Sequence, residues 1–395
     1  MRLPQILIFS HEFPQTGTAG GLILHRLFQG FSAERVGILG PEPQKNSKPV
    51  AFRHHVVRMP WRRFEGSRFN RVHRTLRSFG LVPRFPVRQA DRLLDGFRPE
   101  VVLTVMQHGT WYDSAMAYAQ ARKIPLVTIV HDANENFDKV YGWAKEAQRR
   151  ADGRFYRLAR HRLCVSPEME EFCFRKYGVR GEVMYPNRDE SLRPRPPEWN
   201  RELRNPPHLT VGFVGNVNYG YGEALVEILP ALEQTGGRLR IWGPPPGQEC
   251  RALAESANVR LEGFLPSPEV WEPVKRECDA VILPYSSSER MKQLYSYHFP
   301  SKLPEYLALG MPVMVTGPDY PTGYRWAQRH PEAAVNASCL ERDKIALTLQ
   351  KLKMDGQLRA KLADSAWKEA QKDFNPEKIR SVFHQILISL KGRST

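Results

Sequence analysis

Cysteine is scarce in these 395 residues: five, scattered at 164, 173, 250, 278 and 339. None sits in a Cys-x-x-Cys pair and the number is odd, so reduced thiols are expected rather than a disulfide framework. His-x₃-His and Asp-x-Asp are also missing, and no bound metal is expected. No run of about 18 apolar residues occurs, which excludes a transmembrane helix. The first residues, MRLPQILIFSHEFP, carry one Arg and a short apolar run before His-Glu. That is too short for a secretory signal and reads as a first buried strand in a cytosolic protein. Gly-x-Ser-x-Gly is absent, which excludes an esterase of that type. No glycine loop ends in Lys-Ser/Thr, and none matches Gly-x-Gly-x-x-Gly, so P-loop and nicotinamide sites are excluded. No internal repeat is visible.

Acidic residues are in deficit: 42 Asp and Glu against 58 Lys and Arg, a formal charge of +16. Residues 1–190 hold +12 of it, and residues 50–100 carry twelve arginines against four acids. Trp61, Phe64, Phe69, Phe79 and Phe85 are interleaved with them. Basic and aromatic residues in one segment suit peripheral contact with an anionic membrane surface, at the inner face of the cell membrane. The plainer alternative is a solvated basic face with its aromatics in the core. No motif of a nucleic-acid module is present, so nucleic acid is not expected as a partner.

Hydrophobic residues make up 41% of the chain, enough for full cores, and the length predicts two domains. Apolar runs of four to six residues alternate with helical patterns, which predicts an α/β fold with parallel sheets covered on both faces. Strands are expected at Ile6–Phe9, Val36–Leu39, His55–Arg58, Val101–Val105, Leu126–Val130, Leu163–Val165 and Val183–Tyr185. The helices of this half are expected over Leu22–Phe31, Phe69–Phe79, Trp111–Arg122, Asn136–Arg160 and Glu168–Tyr177. A Pro-rich polar stretch, 186–207, reads as the interdomain connection. The pattern then restarts at Leu209–Val214, with helices over Glu223–Gln234 and Gln248–Ala257. The predicted domains are 1–190, joined by part of 376–395, and 208–375, with 191–207 as linker. Two Rossmann-like doubly wound units facing across a cleft are expected. Ligands of such sheets bind where strands end, so the loops after strands carry the candidates.

The first loop of each half is glycine-rich: Gly17, Gly20 and Gly21 after the first strand, and Gly215, Asn216, Asn218, Gly220 and Gly222 after its counterpart. Glycine lets backbone approach a ligand closely, although a flexible turn would look the same. His108 and His131 end two further strands. A histidine titrating near neutrality suits proton exchange with a sugar hydroxyl, and Asp132 could orient the His131 ring or act itself.

The most informative stretch is 297–315, YHFPSKLPEYLALGMPVMV. Its centre is a short helix with Ser301 as expected N-cap, stopped by Gly310 before a strand. Free N–H groups at Ser301, Lys302 and Leu303 would attract an anion, and Lys302 adds a full charge. Glu305, one turn on, can accept hydrogen bonds from sugar hydroxyls. An ordinary capped helix is the alternative.

This stretch resembles the donor segment of the retaining glycosyltransferases of the two-Rossmann-domain (GT-B) architecture, glycosyl transferases group 1, family 4. Their Glu-Ala-Leu-Ala-x-Gly-x-Pro-Val reads here Glu305-Tyr-Leu-Ala-Leu-Gly-Met-Pro-Val. Ser166-Pro-Glu-Met169 with Tyr185-Pro-Asn187, Gly263-Phe264 and Leu283-Pro284-Tyr285 resemble further loops of that family, and Gly20-Gly21 its acceptor loop. The terminal helix after Phe374 resembles the one that crosses back to the first domain. The resemblance implies a nucleoside-diphosphate-sugar donor, held by Gly215, Asn216, Asn218, Gly243, Phe264, Pro284, Tyr285, Ser301, Lys302, Leu303 and Glu305. It implies an acceptor, a sugar or lipid-linked molecule, near Gly20, Gly21, His108 and His131. His131, Asp132 and Lys302 would be the catalytic residues, without a metal cofactor. Retention of the anomeric configuration and a role in bacterial-type cell-surface polysaccharide or glycolipid synthesis are implied. Two departures stand out. Tyr297 occupies a place often held by Glu, and the loop 215–222 lacks the usual Arg and Lys, leaving Lys302, with Arg290 and Lys292 in reserve, to meet a diphosphate. A non-catalytic sugar-nucleotide or polyanion-binding subunit and a nucleotide-sugar epimerase are the alternatives.

Overall fold

Runs of four or five apolar residues, too short for helices, are buried on both faces as strands of parallel sheets. The computed structural model describes residues 2–16, 18–43, 51–59, 69–132, 139–196, 205–218, 220–341 and 343–391. The chain divides into two units, Met1–Pro186 with Pro376–Thr395, and Asn187–Asn375.

The first unit holds strands β1 (Ile6–Phe9), β2 (Val36–Gly40), β3 (Arg53–Val56), β4 (Val101–Val105), β5 (Leu126–Val130), β6 (His161–Cys164) and β7 (Glu182–Val183). They form one sheet in the order β3-β2-β1-β4-β5-β6-β7, and every pairing is parallel. Its helices are α1 (Ala19–Leu27), α2 (Asn70–Ser78), α3 (Val87–Leu94), α4 (Gly109–Arg122), α5 (Lys145–Leu158), α6 (Pro167–Tyr177) and the terminal α16 (Pro376–Ser389). Helix α16 presents Ile379, Phe383, Ile386 and Leu387 to the same core as Leu24, Leu27 and Phe28 of the α1 region. Phe383 meets Phe28 edge-on at 5.5 Å. The return of the last helix to the first domain is therefore an apolar packing event.

The second unit repeats the plan with β8 (Thr210–Val214), β9 (Arg238–Trp242), β10 (Val259–Gly263), β11 (Ala280–Pro284), β12 (Val313–Gly317) and β13 (Ala334–Ser338). Their order is β10-β9-β8-β11-β12-β13, again all parallel. The helices are α7 (Tyr221–Glu227), α8 (Leu229–Thr235), α9 (Ala252–Glu255), α10 (Trp271–Glu277), α11 (Glu289–Tyr297), α12 (Lys302–Ala308), α13 (Thr322–Arg329), α14 (Lys344–Met354) and α15 (Gly356–Lys372). In both sheets the order reverses beside the first strand, at β1/β4 and β8/β11. Loops after strands diverge there and leave room for a ligand.

The boundary falls at Pro186/Asn187, and the described part of the expected linker belongs to the second unit. The Arg195 N–H donates to the Leu309 carbonyl at 2.7 Å, the Arg195 guanidinium bonds the Cys278 carbonyl, and Leu192 is buried. Residues 187–196 are thus a strap on the second unit. The helix expected over 223–234 is broken into α7 and α8 at Ile228, because Pro230 in the first turn of α8 has no N–H to continue the ladder. Among the described residues, the helix expected from Asn136 starts only at Lys145; part of that expectation, 136–138, lies outside them. Gly17, Trp61, Phe64 and the arginines at 62, 63 and 68 also lie outside the described residues. Among the described residues no helix is long and apolar enough to cross a membrane.

Candidate active site

Gly215 follows the last residue of β8 with φ +143°, a backbone region that only glycine enters freely. A side chain there would also strike Lys302, whose Nζ lies 2.9 Å from where a Cβ would stand. The Lys302 ammonium sits 4.0 Å from the centroid of the Tyr221 ring and 5.6 Å from that of Phe213. Tyr306, on the next turn of α12, accepts a bond from Val214 N at 2.9 Å and so pins that helix to the end of β8. Lys302 is only partly exposed as a residue, and its charged tip is the part enclosed by these rings. Burial pushes its pKa down to about 8, while burial pushes the Tyr221 hydroxyl up to about 12. Among the described residues no carboxylate pairs with Lys302. An enclosed ammonium held by aromatic faces alone is costly and attracts an anion.

The two reserve cations are both paired with carboxylates. Arg290 pairs with Glu223, and Lys292 pairs with Glu289 at 2.9 Å. The helix start also differs from expectation. Ser301 has helical backbone angles and makes no side-chain cap, so α12 begins without the expected N-cap hydroxyl. The Leu303 N–H already donates to the Pro300 carbonyl at 3.1 Å, which removes it from the set of free donors. Positive charge here comes from the Lys302 side chain more than from backbone N–H groups. Glu305 is buried, and its carboxylate accepts the Asp189 N–H of the strap at 3.2 Å.

Several candidates are framework. Asn216 Oδ1 accepts the Asn218 N–H at 2.8 Å, a local turn. Asn218 Oδ1 accepts the Gly247 N–H at 2.6 Å and its amide donates to the Pro245 carbonyl at 3.2 Å. Its side chain therefore ties two loops together. Gly243 allows the backbone of Gly215 to pass against it, and its N–H donates to Gly263 at 2.9 Å. Pro284 closes β11 and is buried. Tyr285 is buried edge-on to Tyr295 at 4.9 Å, with Gly317 and Gly323 packed against it. Phe264 is 72% exposed just after β10 and is the one apolar candidate offering an open ring.

In the first unit the loops after β1, β4 and β5 lie side by side, because those strands are neighbours. They carry His11 and Glu12, His108, and His131 with Asp132. The His11 and His108 rings are 4.1 Å apart and tilted by 51°, with Trp111 6.1 Å from His11. Burial, then the neighbouring His11 and Arg74, pushes His108 down to about 3. Burial thus favours the neutral imidazole of His108. His131 is buried at the end of β5 with Asp132 half-buried beside it. Sequence reasoning missed Glu12. Its pKa is raised by burial first and by the charge of Asp132, against hydrogen bonds from Thr18 and Gly21. Thr18 donates to Glu12 at 3.0 Å and caps α1 by accepting the Gly21 N–H at 2.9 Å. Gly21 is needed for that turn, since a Cβ would lie 2.6 Å from both Gln15 and Thr18. A Cβ on Gly20 would lie 3.3 Å from the Glu12 carboxylate. The sequence signal for Glu12 was an acid three residues past a buried strand, in a loop at the end of the sheet. Tyr221 was missed because a tyrosine at a helix start has no motif.

One group among the described residues has metal-ligand geometry, His330, Glu369 and Asp373. His330 caps the C-terminus of α13, the helix that follows β12. Its Nδ1 lies 2.9 Å from the Trp326 carbonyl, a local bond at the end of that helix.

Two parallel Rossmann-like sheets, each with candidate residues where strands end, define the GT-B fold. Residues 24–187 match the family model described as the glycosyl transferase 4-like domain. The chain therefore has the GT-B fold, and its residues 24–187 are similar to a glycosyl transferase 4-like domain. Solved structures agree on the architecture. Sucrose-phosphate synthase from Thermosynechococcus elongatus superimposes with a TM-score of 0.67 at 15% identity, over 98% of this chain and 99% of that one. HepE from Anabaena, solved in complex with UDP, gives 0.68 at 16% identity, over 98% and 100%. MurG from Acinetobacter baumannii gives 0.54 at 13%, over 96% and 99%. No curated protein matches the chain by sequence.

Proposed function

We propose that the chain transfers a sugar, with retention, from a nucleoside-diphosphate sugar to a sugar or lipid-linked acceptor in cell-surface polysaccharide or glycolipid synthesis. The observation that carries this reading is the enclosed Lys302 ammonium, unpaired by any described carboxylate, beside the Gly215 backbone at the end of β8. A diphosphate would supply the missing counter-charge. As the glycosidic bond breaks, negative charge grows on that diphosphate, and a fixed cation stabilises it without reorganisation. Glu305 would bind the ribose hydroxyls, and Phe264 would offer a face to the base. HepE, of the same fold, is solved with UDP and with UDP-glucose, which makes uridine nucleotides the first donors to test. In the first unit, His131 and Asp132 would meet the acceptor hydroxyl, with Glu12 as a second carboxylate and neutral His108 as a hydrogen-bonding wall. Lys302 takes the charge-balancing part that a metal plays elsewhere, so chelators should leave turnover unchanged.

A panel of nucleotide sugars tests this by thermal shift, followed by transfer to a lipid-linked acceptor. One donor class should raise the unfolding midpoint by mass action and then be consumed only when acceptor is present. Stabilisation without any turnover would point to a binding subunit, and conversion of donor without acceptor would point to an epimerase. Either result would overturn the proposed transfer.

A further inference from the structure

Helix α2 is built inside out. His73, Thr75, Arg77 and Ser78 are its buried residues, while Val72 and Leu76 face outward. Phe69 and Phe79, at its two ends, are exposed as well, so apolar side chains recur at 69, 72, 76 and 79 along one outer stripe. The inner face is polar because Arg77 is required there. It bonds Asp113 at 2.8 Å and Asp152 at 3.0 Å, and Tyr112 donates to Asp152 at 2.7 Å. The outer stripe continues into Leu81, 66% exposed, and Trp143, 72% exposed. Phe79 stacks on Trp143 with centroids 5.7 Å apart, and Tyr141 lies parallel to Trp143 at 6.4 Å. The Arg71 guanidinium covers the Tyr141 ring at 4.6 Å. An amphipathic helix ordinarily turns its apolar stripe to the core. Here two elements distant in sequence, α2 and the 141–143 turn, place their apolar side chains together on the surface.

Charge selects the occupant. From Phe69 to Ala90 there are five arginines and no acid, and apart from Arg77 they are exposed or half-exposed. Lys139 and Lys145, both exposed, flank the Trp143 turn. We infer that this stripe of α2, with Leu81, Tyr141 and Trp143, docks the first unit on an anionic bilayer. The aromatic side chains enter the interface between headgroups and acyl chains, and the arginines contact lipid phosphates. Tyrosine and tryptophan favour that boundary because one end is apolar and the other polar. Insertion of a helix lying in the interface plane scales with its apolar area, and attraction to anionic lipid adds to it. This surface lies outside the residues given to donor and acceptor, so it stands or falls separately from the proposed transfer.

Vesicle co-sedimentation of the full chain, without donor or acceptor, tests it. Binding should require phosphatidylglycerol in phosphatidylcholine vesicles and weaken as salt rises, since exposed charges are screened. Phe79→Ser with Trp143→Ser should lower the partition coefficient more than tenfold at an unchanged unfolding midpoint. Should that variant fail to fold, Trp143→Phe serves instead, and it should remove most of the blue shift in tryptophan emission seen on adding vesicles. Equal binding to neutral vesicles, unchanged binding in the double variant or an unchanged blue shift in Trp143→Phe would overturn the inference. So would a dimer in light scattering that Phe79→Ser with Trp143→Ser dissolves, which would assign the stripe to a second copy of the chain.

Discussion

Replacing Lys302 with Ala is expected to lower turnover of the active donor by more than tenfold, at least roughly 1.4 kcal/mol of transition-state stabilisation. The argument is electrostatic. Arg290 and Lys292 are already neutralised by Glu223 and Glu289, and Leu303 has spent its N–H on Pro300. Lys302 is therefore the charge left to meet a diphosphate at the end of β8. The same substitution should not cost stability, because it removes an enclosed ammonium with no carboxylate partner. The sign of the pH effect follows. The folded-state pKa of Lys302 lies near 8, below its usual 10.5. Between those values the unfolded chain binds the extra proton, so stability rises with pH relative to a Lys302→Met variant. Steady-state kinetics with parallel unfolding curves at pH 7 and pH 9.5 would check both halves. Unchanged turnover in Lys302→Ala would remove Lys302 from the diphosphate role.

Arg77→Ala should be the most destabilising single change in the first unit, by about 3–5 kcal/mol, because it strands buried carboxylates without their counter-charge. Asp152 is fully buried and would lose the Arg77 charge while keeping its bond from Tyr112. Gly109 lets the guanidinium in, since a Cβ there would lie 2.5 Å from Arg77 Cδ. Arg77→Lys should recover little, because a single ammonium cannot fork between Asp113 and Asp152. Urea unfolding followed by circular dichroism would measure the loss, and a change below about 1 kcal/mol would contradict this account of what holds α2.

Much of this architecture is legible in the sequence, and the failures have local causes. Buried parallel strands announce themselves as short apolar runs, so β1, β4, β5 and β8 appear where expected, as does the doubly wound arrangement. Helices α3, α11 and α13 are not among the helices expected from the sequence. The strap 187–196 looks like a linker because its proline-rich composition is that of one. The Leu309 and Cys278 carbonyls and the Glu305 carboxylate, far away in sequence, reveal that it is docked. Site residues divide the same way. Lys302 and Glu305 are visible because they stand in a motif. Asn218 suggests a ligand contact from composition, yet its amide is committed to Gly247 and Pro245. Glu12 and Tyr221 gain their meaning only from neighbours brought in by the fold. The basic segment reads as a membrane-contacting surface, with a solvated basic face and core aromatics as the alternative. Helix α2 instead turns one arginine inward as a structural ion and its apolar residues outward, which no count of charges distinguishes.

The central claim is that Lys302 awaits a diphosphate. Calorimetric titration of uridine diphosphate across pH, in buffers of different ionisation enthalpy, tests it most directly. Near pH 7 Lys302 is already charged and binding should take up little or no proton. Near pH 9 the free protein has lost that proton and the complex should regain it, so uptake should approach one per nucleotide while affinity declines above about pH 8. Lys302→Met should abolish the uptake and bind at least tenfold more weakly at pH 7. Equal affinity in the two proteins, with no proton taken up at pH 9, would contradict the account.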